Sequence, residues 1–334
     1  MSNKDKVSAF LPWFTEEPKA EAPLKLIIML SSCKNHLRLV SNLFKSHAEE
    51  GTTKITWEGN VDNEREEEEE EEAKPSSLMP ILTSPVRDRD GRLKDRHPKL
   101  KSIHCEGLDT LMDLNGCPRG LEELSCKDCR LIKSLAPLSA CIHLRMLNLF
   151  CTKVSSLKPL MGCVKLEWLE IGDTSVSDLS PLSACINLQE VSLACTPVSD
   201  LSPLSGLHQL RSIDVAETEV TDLSPLRSLI HLEFLDCFNT KVSDLTPLSP
   251  CSELRALDIC HTNVKSLSPL LQCKKLKYLN HSNLLGKTEG ETKGYIDCIT
   301  ENLLSDLQCI SNDDNILHII PSELIHGWKS YSCV

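Results

Sequence analysis

The side chains best suited to chemistry in this chain are thiols and carboxylates. Cys126 and Cys129 stand two residues apart, with Cys105 and Cys117 upstream. Four thiolates at such spacings have the look of a tetrahedral zinc site. Asp214, Asp236 and Asp258 recur at a constant interval, with Glu170 two intervals earlier. Ser84-Pro85 has the form of a proline-directed phosphorylation site. Between residues 100 and 286 the only aromatic residues are Phe150, Trp168, Phe234, Phe238 and Tyr278. No Gly-rich phosphate loop, G-x-S-x-G elbow or clustered acid–base pair occurs. Which of these features is chemistry and which is scaffold depends on the elements that carry them.

Those elements are set by a period. From residue 144 to residue 276 the chain repeats every 22 residues as L-x-x-Φ-x-Φ-x-x-T-x-V-x-x-L-x-P-L, with Φ mostly aliphatic. A fixed period in this range signals a solenoid. Leu144, Leu147 and Leu149 alternate as a short strand does, and Leu169/Ile171, Val191/Leu193, Ile213/Val215, Leu235/Cys237 and Leu257/Ile259 repeat the pair. Strands one period apart must lie side by side as a parallel sheet. Ser180, Ser202, Ser224, Thr246 and Ser268 each precede a proline. Ser or Thr suits an N-cap and Pro the first helical position, which predicts short helical or 3-10 turns on the opposite wall. Weaker copies begin at Leu100 and Leu121, and a fraying one at Leu276, giving about eight coils over residues 99–286.

On these residues the chain resembles the leucine-rich repeat proteins, and the 22-residue unit with Asp-Leu-Ser-Pro-Leu is similar to the internalin subclass. The resemblance implies an α/β solenoid, a horseshoe with parallel strands on its concave face and short helical or 3-10 turns on its convex face. It departs at the ninth position, where that family has Asn and this chain has Thr152, Thr174, Thr196, Thr218, Thr240 and Thr262. A hydroxyl also donates and accepts, with one donor fewer than an amide. A ladder of Thr bridging the coils in place of the Asn ladder is the expectation.

Register accounts for most of the reactive side chains. Cys141, Cys163, Cys185, Cys251 and Cys273 share one interior position, where a free thiol acts as a small apolar residue. Cys105 and Cys126 stand at the core-facing sixth position, and Cys129 stands at the Thr position. They are expected to be structural, with no metal, no cofactor and no catalytic residue in the repeats. The 17 cysteines are odd in number and follow the repeat, unlike a disulfide framework. The Ser-Pro pairs of the repeats need no kinase to explain them, which leaves Ser84-Pro85.

Net charge is −12, but residues 62–72 hold nine acids against Arg65, so the remainder of the chain carries only −4. A like-charge block of this kind reads as a solvated, disordered spacer. An acidic pI with no basic stripe gives no reason to expect nucleic acid as a partner. The apolar run at residues 24–30 is too short to span a membrane, and residues 1–14 lack a signal-peptide layout. The expectation is an intracellular monomer, cytoplasmic or nuclear, that binds another protein.

The period does not absorb the aromatics. Trp168, Phe234 and Tyr278 fall at the third repeat position and Phe150 and Phe238 at the seventh, all pointing away from the core onto an exposed concave sheet. Rigid aromatics of wide area are what binding surfaces use. Asp214, Asp236 and Asp258 at the fifth position would form a negative rail with a strand-to-strand spacing of about 4.8 Å, and Glu170 lies on the same row. Mutual repulsion along that rail would be relieved by a partner with a basic surface. The expected contact residues are therefore Phe150, Trp168, Glu170, Asp214, Phe234, Asp236, Phe238, Asp258 and Tyr278.

Outside the repeats, Leu24, Ile27, Ile28 and Leu30 suit one short helix and Leu37, Val40, Leu43 and Phe44 another. The pair resembles an F-box, although Ala22-Pro23-Leu24 lacks the usual L-P-x-E opening. That resemblance implies a substrate receptor of a ubiquitin ligase, held to the ligase by its adaptor subunit, as the alternative to a plain binding scaffold. Ile296, Ile299, Leu303, Leu307 and Ile310 follow helical spacing and would cover the last coil. The resulting plan is a small helical module over 1–60, an acidic disordered linker over 61–98, the solenoid over 99–286 and a C-terminal cap over 287–334.

Overall fold

In the computed structural model, described for residues 100–108 and 111–281 and for five strand segments outside them, each coil contributes one short strand to a single parallel sheet. The strands are β1 (Lys25–Leu30), β2 (Lys54–Gly59), β3 (Val86–Arg87), β4 (Leu93–Lys94), β5 (Ser102–Glu106), β6 (Glu123–Ser125), β7 (Met146–Asn148), β8 (Trp168–Glu170), β9 (Glu190–Ser192), β10 (Ser212–Asp214), β11 (Phe234–Asp236), β12 (Ala256–Asp258), β13 (Tyr278–Asn280) and β14 (Gln308–Ile310). From β5 to β13 they pair in chain order. From β7 onward the register is Met146↔Trp168↔Glu190↔Ser212↔Phe234↔Ala256↔Tyr278, one repeat per strand. This is the solenoid expected from the period.

The core is the stack of repeat positions 1, 4, 6, 11, 14, 17 and 20. In one coil Leu166, Leu169, Ile171, Val176, Leu179, Leu182 and Cys185 are all buried. Each of these leucines, cut to alanine, should cost about 2–5 kcal/mol, because neighbouring coils cannot collapse into the gap.

The convex wall is made of 3-10 turns such as Ser180–Ala184, Ser224–Ser228 and Ser268–Gln272. Their capping differs from the expectation. Ser180, Ser202, Ser224 and Thr246 are the first helical residues rather than acceptors at the cap. Their own N–H groups donate to Oδ1 of Asp178, Asp200, Asp222 and Asp244, at 2.8–2.9 Å. An aspartate two residues before an N–H closes an Asx-type turn more strongly than a hydroxyl does. Where that position is Ser, as at Ser134, Ser156 and Ser266, the hydroxyl takes the same role at longer distance.

The Thr ladder also differs from the expectation. Thr152, Thr174, Thr218, Thr240 and Thr262 donate to the carbonyl three residues earlier in their own coil, at 2.6–2.8 Å. A Thr side chain is too short to reach the next coil as an Asn amide would. Two other groups bridge the coils. Main-chain N–H groups at the eighth position, as at Cys151 and Asp173, donate to the next coil's seventh carbonyl. Interior thiols form the second bridge: Cys163 Sγ donates to Cys141 O and Cys185 Sγ to Cys163 O, each at 3.6 Å. The eighth position is also where the chain turns through the left-handed region, with φ of 50–59° at Asp128, Cys151, Asp173, Cys195, Glu217, Asn239 and His261.

Outside the solenoid three expectations change. Residues 25–30 form a strand, β1, where a helix was expected; it pairs with β2, which pairs with β5. Six apolar residues cannot distinguish the two periods, and adjacent Ile27 and Ile28 favour the pleat. Residues 308–310, expected as the end of a capping helix, form β14 on the edge of β13, where a strand supplies the partners an open edge lacks. A hairpin, β3 with β4, falls inside the segment expected to be disordered, and Asp90-Gly91 between its strands is a turn signal. The second helix of the F-box-like pair and most of the C-terminal cap lie outside the described residues. Among the described residues no helix is long and apolar enough to cross a membrane.

Candidate binding face

Strand alternation places positions 3, 5 and 7 on the concave face, with the core residues on the opposite side. The fifth-position row runs Ser125, Asn148, Glu170, Ser192, Asp214, Asp236, Asp258 and Asn280 from β6 to β13. Its side chains fold back onto their own strand ends. Glu170 Oε1 accepts from Gly172 N at 2.7 Å, and Asp214, Asp236 and Asp258 accept through Oδ1 from Ala216, Phe238 and Cys260 N at 2.8 Å. Asn148 does the same for Phe150 at 3.0 Å. Side chains also link along the row: Ser192 Oγ donates to Asp214 Oδ2 and Asn280 Nδ2 to Asp258 Oδ2.

The rail therefore exists, but it is not solvent-exposed as expected. Asp214, Asp236, Asp258 and Glu170 are all at most 5% exposed. Burial raises Glu170 to about 8 and Asp214 to about 7, against the pull of the N–H bonds they accept. Asp236 is also pushed well up, first by burial and then by Asp258 and Asp214 on the neighbouring strands. None of Glu170, Asp214 and Asp236 forms an ion pair with a Lys or Arg among the described residues. Ion pairs such as Arg145–Glu167 and Arg211–Glu233 lie instead along the sheet edge, and Lys127 acts on Glu170 from a distance without pairing with it.

The aromatics keep their place on this face but differ in exposure. Phe234 is 0% exposed without belonging to the core cluster, and its register partners Ser212 and Ala256 are small. Trp168 is 9% exposed. Phe150, Phe238 and Tyr278 are half-buried. Lys127 Nζ lies 5.7 Å from the Phe150 ring centroid, and Phe238 meets the His261 ring edge-on at 5.5 Å. Phe150 and Phe238 bracket a run of small seventh-position residues, Gly172, Ala194 and Ala216. The aligned repeats carry that run as three small residues in succession at one position.

The apparent zinc cluster is a set of core thiols. Cys129 Sγ donates to Cys105 O at 3.1 Å. Cys105 is held protonated chiefly by burial, and Cys126 first by its bond with Cys129 and then by burial. Metal ligation requires the thiolate. Among the described residues no group of three or more His, Cys, Asp or Glu is placed to hold a metal ion. Among the described residues twelve cysteines are free and Cys195 is disulfide-bonded, so the expectation of free thiols does not hold at Cys195.

A family profile described as Leucine Rich repeats (2 copies) matches residues 208–250. No curated protein matches the sequence. Among solved structures, internalin C2 of Listeria monocytogenes superposes with a TM-score of 0.51 at 23% identity, covering 58% of this chain and 81% of that one. Internalin F of the same organism gives 0.48 at 22%, covering 58% of this chain and 61% of its own. The plant peptide hormone receptor RGFR1, solved in complex with RGF2, gives 0.47 at 15%, covering 56% and 33%. At these identities the internalin C2 likeness concerns the fold, and the other two superpositions carry no further argument.

Proposed function

We propose, from the premise that residues 100–281 are a leucine-rich repeat solenoid, that the chain is a non-catalytic scaffold whose concave face binds a protein with a basic surface. The observation that carries this reading is the row Glu170, Asp214 and Asp236: three buried carboxyls with no ion-paired cation among the described residues. Removing carboxyls from water without an ion-paired cation is costly, and burial raises the proton affinity of each. A partner's Lys or Arg side chains would supply the missing charge. Electrostatic complementarity of this kind sets partner choice and encounter rate more than raw affinity.

The test uses the variant Glu170→Gln/Asp214→Asn/Asp236→Asn. Each amide oxygen keeps the acceptor for the N–H two residues on, so the strand ends stay closed while the charge is lost. Wild-type protein on a column should retain a partner that elutes with salt, and the triple variant should not. Equal retention by both would rule out the acidic row as the site. Phe234→Ala is a poor substitute, since at full burial it reports packing. The substrate-receptor alternative leans on a helix over Leu24 to Leu30, of which residues 25–30 are strand β1, so no structural observation favours it.

A further inference from the structure

Phe234 stands on the concave face, yet solvent does not reach it. A ring on the open side of a sheet keeps one flat side in water unless something lies across it. Its neighbours in the row, Ser212 and Ala256, are too small to do so, and Asp236 on the same strand is turned back to Phe238 N. Trp168 is buried on this face as well, whereas Met146 and Tyr278 on the flanking strands are half-buried. Trp168 Nε1, Glu170 Oε2 and Ser212 Oγ are out of solvent without a hydrogen-bond partner. The face from β8 to β12 is therefore covered, and what covers it is apolar at those atoms.

Cys195 shows where the cover is anchored. It follows β9 at the eighth position, its N–H donates to Ala216 O of the next coil, and its sulfur is disulfide-bonded. Every other cysteine of residues 100–281 is free, which leaves Cys33, Cys298, Cys309 and Cys333 as partners. A disulfide needs Cα atoms within about 7 Å of each other. Cys309 is on β14, five strand spacings from β9, which is about 24 Å along the sheet. Cys33 follows β1, six spacings away on the other side, about 29 Å. Three residues of chain after Leu30 recover only about 10 Å of that. Cys298, ten residues before β14, and Cys333, 23 residues after it, both have the reach.

Charge chooses between these two. Residues 289–298 carry Glu289, Glu291, Lys293 and Asp297, and such a segment would lay like charge on the acidic row. Residues 324–334 carry Lys329 as their one formal charge, with Leu324, Ile325, Trp328 and Tyr331 around it. An apolar cover over unpaired carboxyls matches the second segment.

We infer that residues 311–334 lie across the concave face from β8 to β12, tethered by a disulfide between Cys195 and Cys333. A cover that leaves buried polar atoms unmet fits its surface poorly, so its hold depends on the tether, which raises its local concentration. The bond forms by exchange with an external disulfide, which leaves as two thiols. It opens by exchange with an external dithiol, which leaves oxidised while Cys195 and Cys333 return to thiols. The face that a partner would use is thus closed by the chain's own C-terminal segment until the tether opens.

Two measurements on the full chain test this. Proteolysis without reduction, followed by mass spectrometry of linked peptides, should find Cys195 joined to Cys333. A link to Cys298, Cys309 or Cys33, or Cys195 as a thiol, would overturn the assignment. The cover itself is read at Cys260, buried at the concave seventh position, with the core thiol Cys237 as control. Alkylation of Cys260 by iodoacetamide should be about tenfold faster in Cys333→Ser than in wild type, the scale of a lost effective concentration, while Cys237 stays protected. Wild type treated briefly with dithiothreitol and desalted should match Cys333→Ser, and Cys298→Ser should match untreated wild type. Equal Cys260 rates with and without the tether would remove the cover. Cys237 and Cys260 rising together would make the bond a staple of the solenoid, which also overturns it. The cover stands apart from the basic partner: if that reading holds, Cys333→Ser captures more partner than wild type, and if nothing is captured the link and the Cys260 rates decide alone.

Discussion

Two rows of aspartates run along this solenoid, and they close the same local turn in opposite surroundings. On the concave face Asp214 and Asp236 accept from the N–H two residues on at 2.8 Å. On the convex wall Asp222 and Asp244 do so at the same distance. The convex row lies in water, and the hydroxyl and amide of Ser224 or Thr246 hold its carboxyls below their ordinary value. The concave row is buried, and desolvation outweighs the same amide bond, pushing Asp214 up to about 7. The motif determines the geometry and the surroundings determine the charge. A carboxylate bonded only as a turn requires is scaffold; one also deprived of water and of a counter-ion is where the proposed function places the partner.

The strongest way to break this comparison is to place a cation in each row. Asp236→Lys should destabilise by more than about 3 kcal/mol, since the side chain loses its acceptor and buries an ammonium. Asp222→Lys, on the exposed wall, should lower the melting temperature by only about 2–4 °C, as for a lost cap in a domain of this size. Equal losses in thermal melts would show that burial does not separate the rows.

Titration sharpens the contrast. A carboxyl whose folded value lies above its unfolded one keeps its proton in the native state alone, so the stability it contributes is complete below pH 4 and lost as pH climbs to 7–8. The convex aspartates act in the opposite sense: their contribution is present above the unfolded value and is lost as pH falls through the lowered folded one. The triple amide variant should therefore be more stable than wild type at pH 8, on the order of 2 kcal/mol, and similar to it at pH 4. A difference that does not change with pH would mean the concave carboxyls are ionised throughout.

Smaller effects test the bridges between the rows. Thr218→Val deletes the hydroxyl bond to Val215 O and should cost about 1 kcal/mol by denaturant melt. Thr218→Asn should not stabilise, because the bonds between coils run through main chain and thiols. Arg211→Gln, which removes an exposed edge pair with Glu233, should change stability by only ~0.5 kcal/mol and only at low salt.

Much of this is legible in the sequence. The strand positions, the parallel register and the burial of Leu169, Val176, Leu179 and Leu182 follow from the period, because a stacked repeat must bury the same positions in every coil. The fifth-position row was legible as a row. Its burial was not, since alternation says which way a side chain points and nothing about what lies over it. The partners of Thr and Ser differ from the expected ones for a related reason: both bond locally, and the choice between the same coil and the next depends on reach in three dimensions. The strand at residues 25–30 escaped because six apolar residues carry no period.

What the sequence determined by itself is the solenoid, because 22-residue self-similarity leaves each coil unable to hide its apolar face except against a copy of itself. What only the tertiary structure decided is which polar atoms remain unmet. Trp168, Glu170 and Ser212 look unremarkable in one dimension, yet stacked on neighbouring strands each keeps a buried polar atom without a hydrogen-bond partner. Hydrogen-bond satisfaction and desolvation are sums over neighbours from several coils, and no single repeat contains those sums.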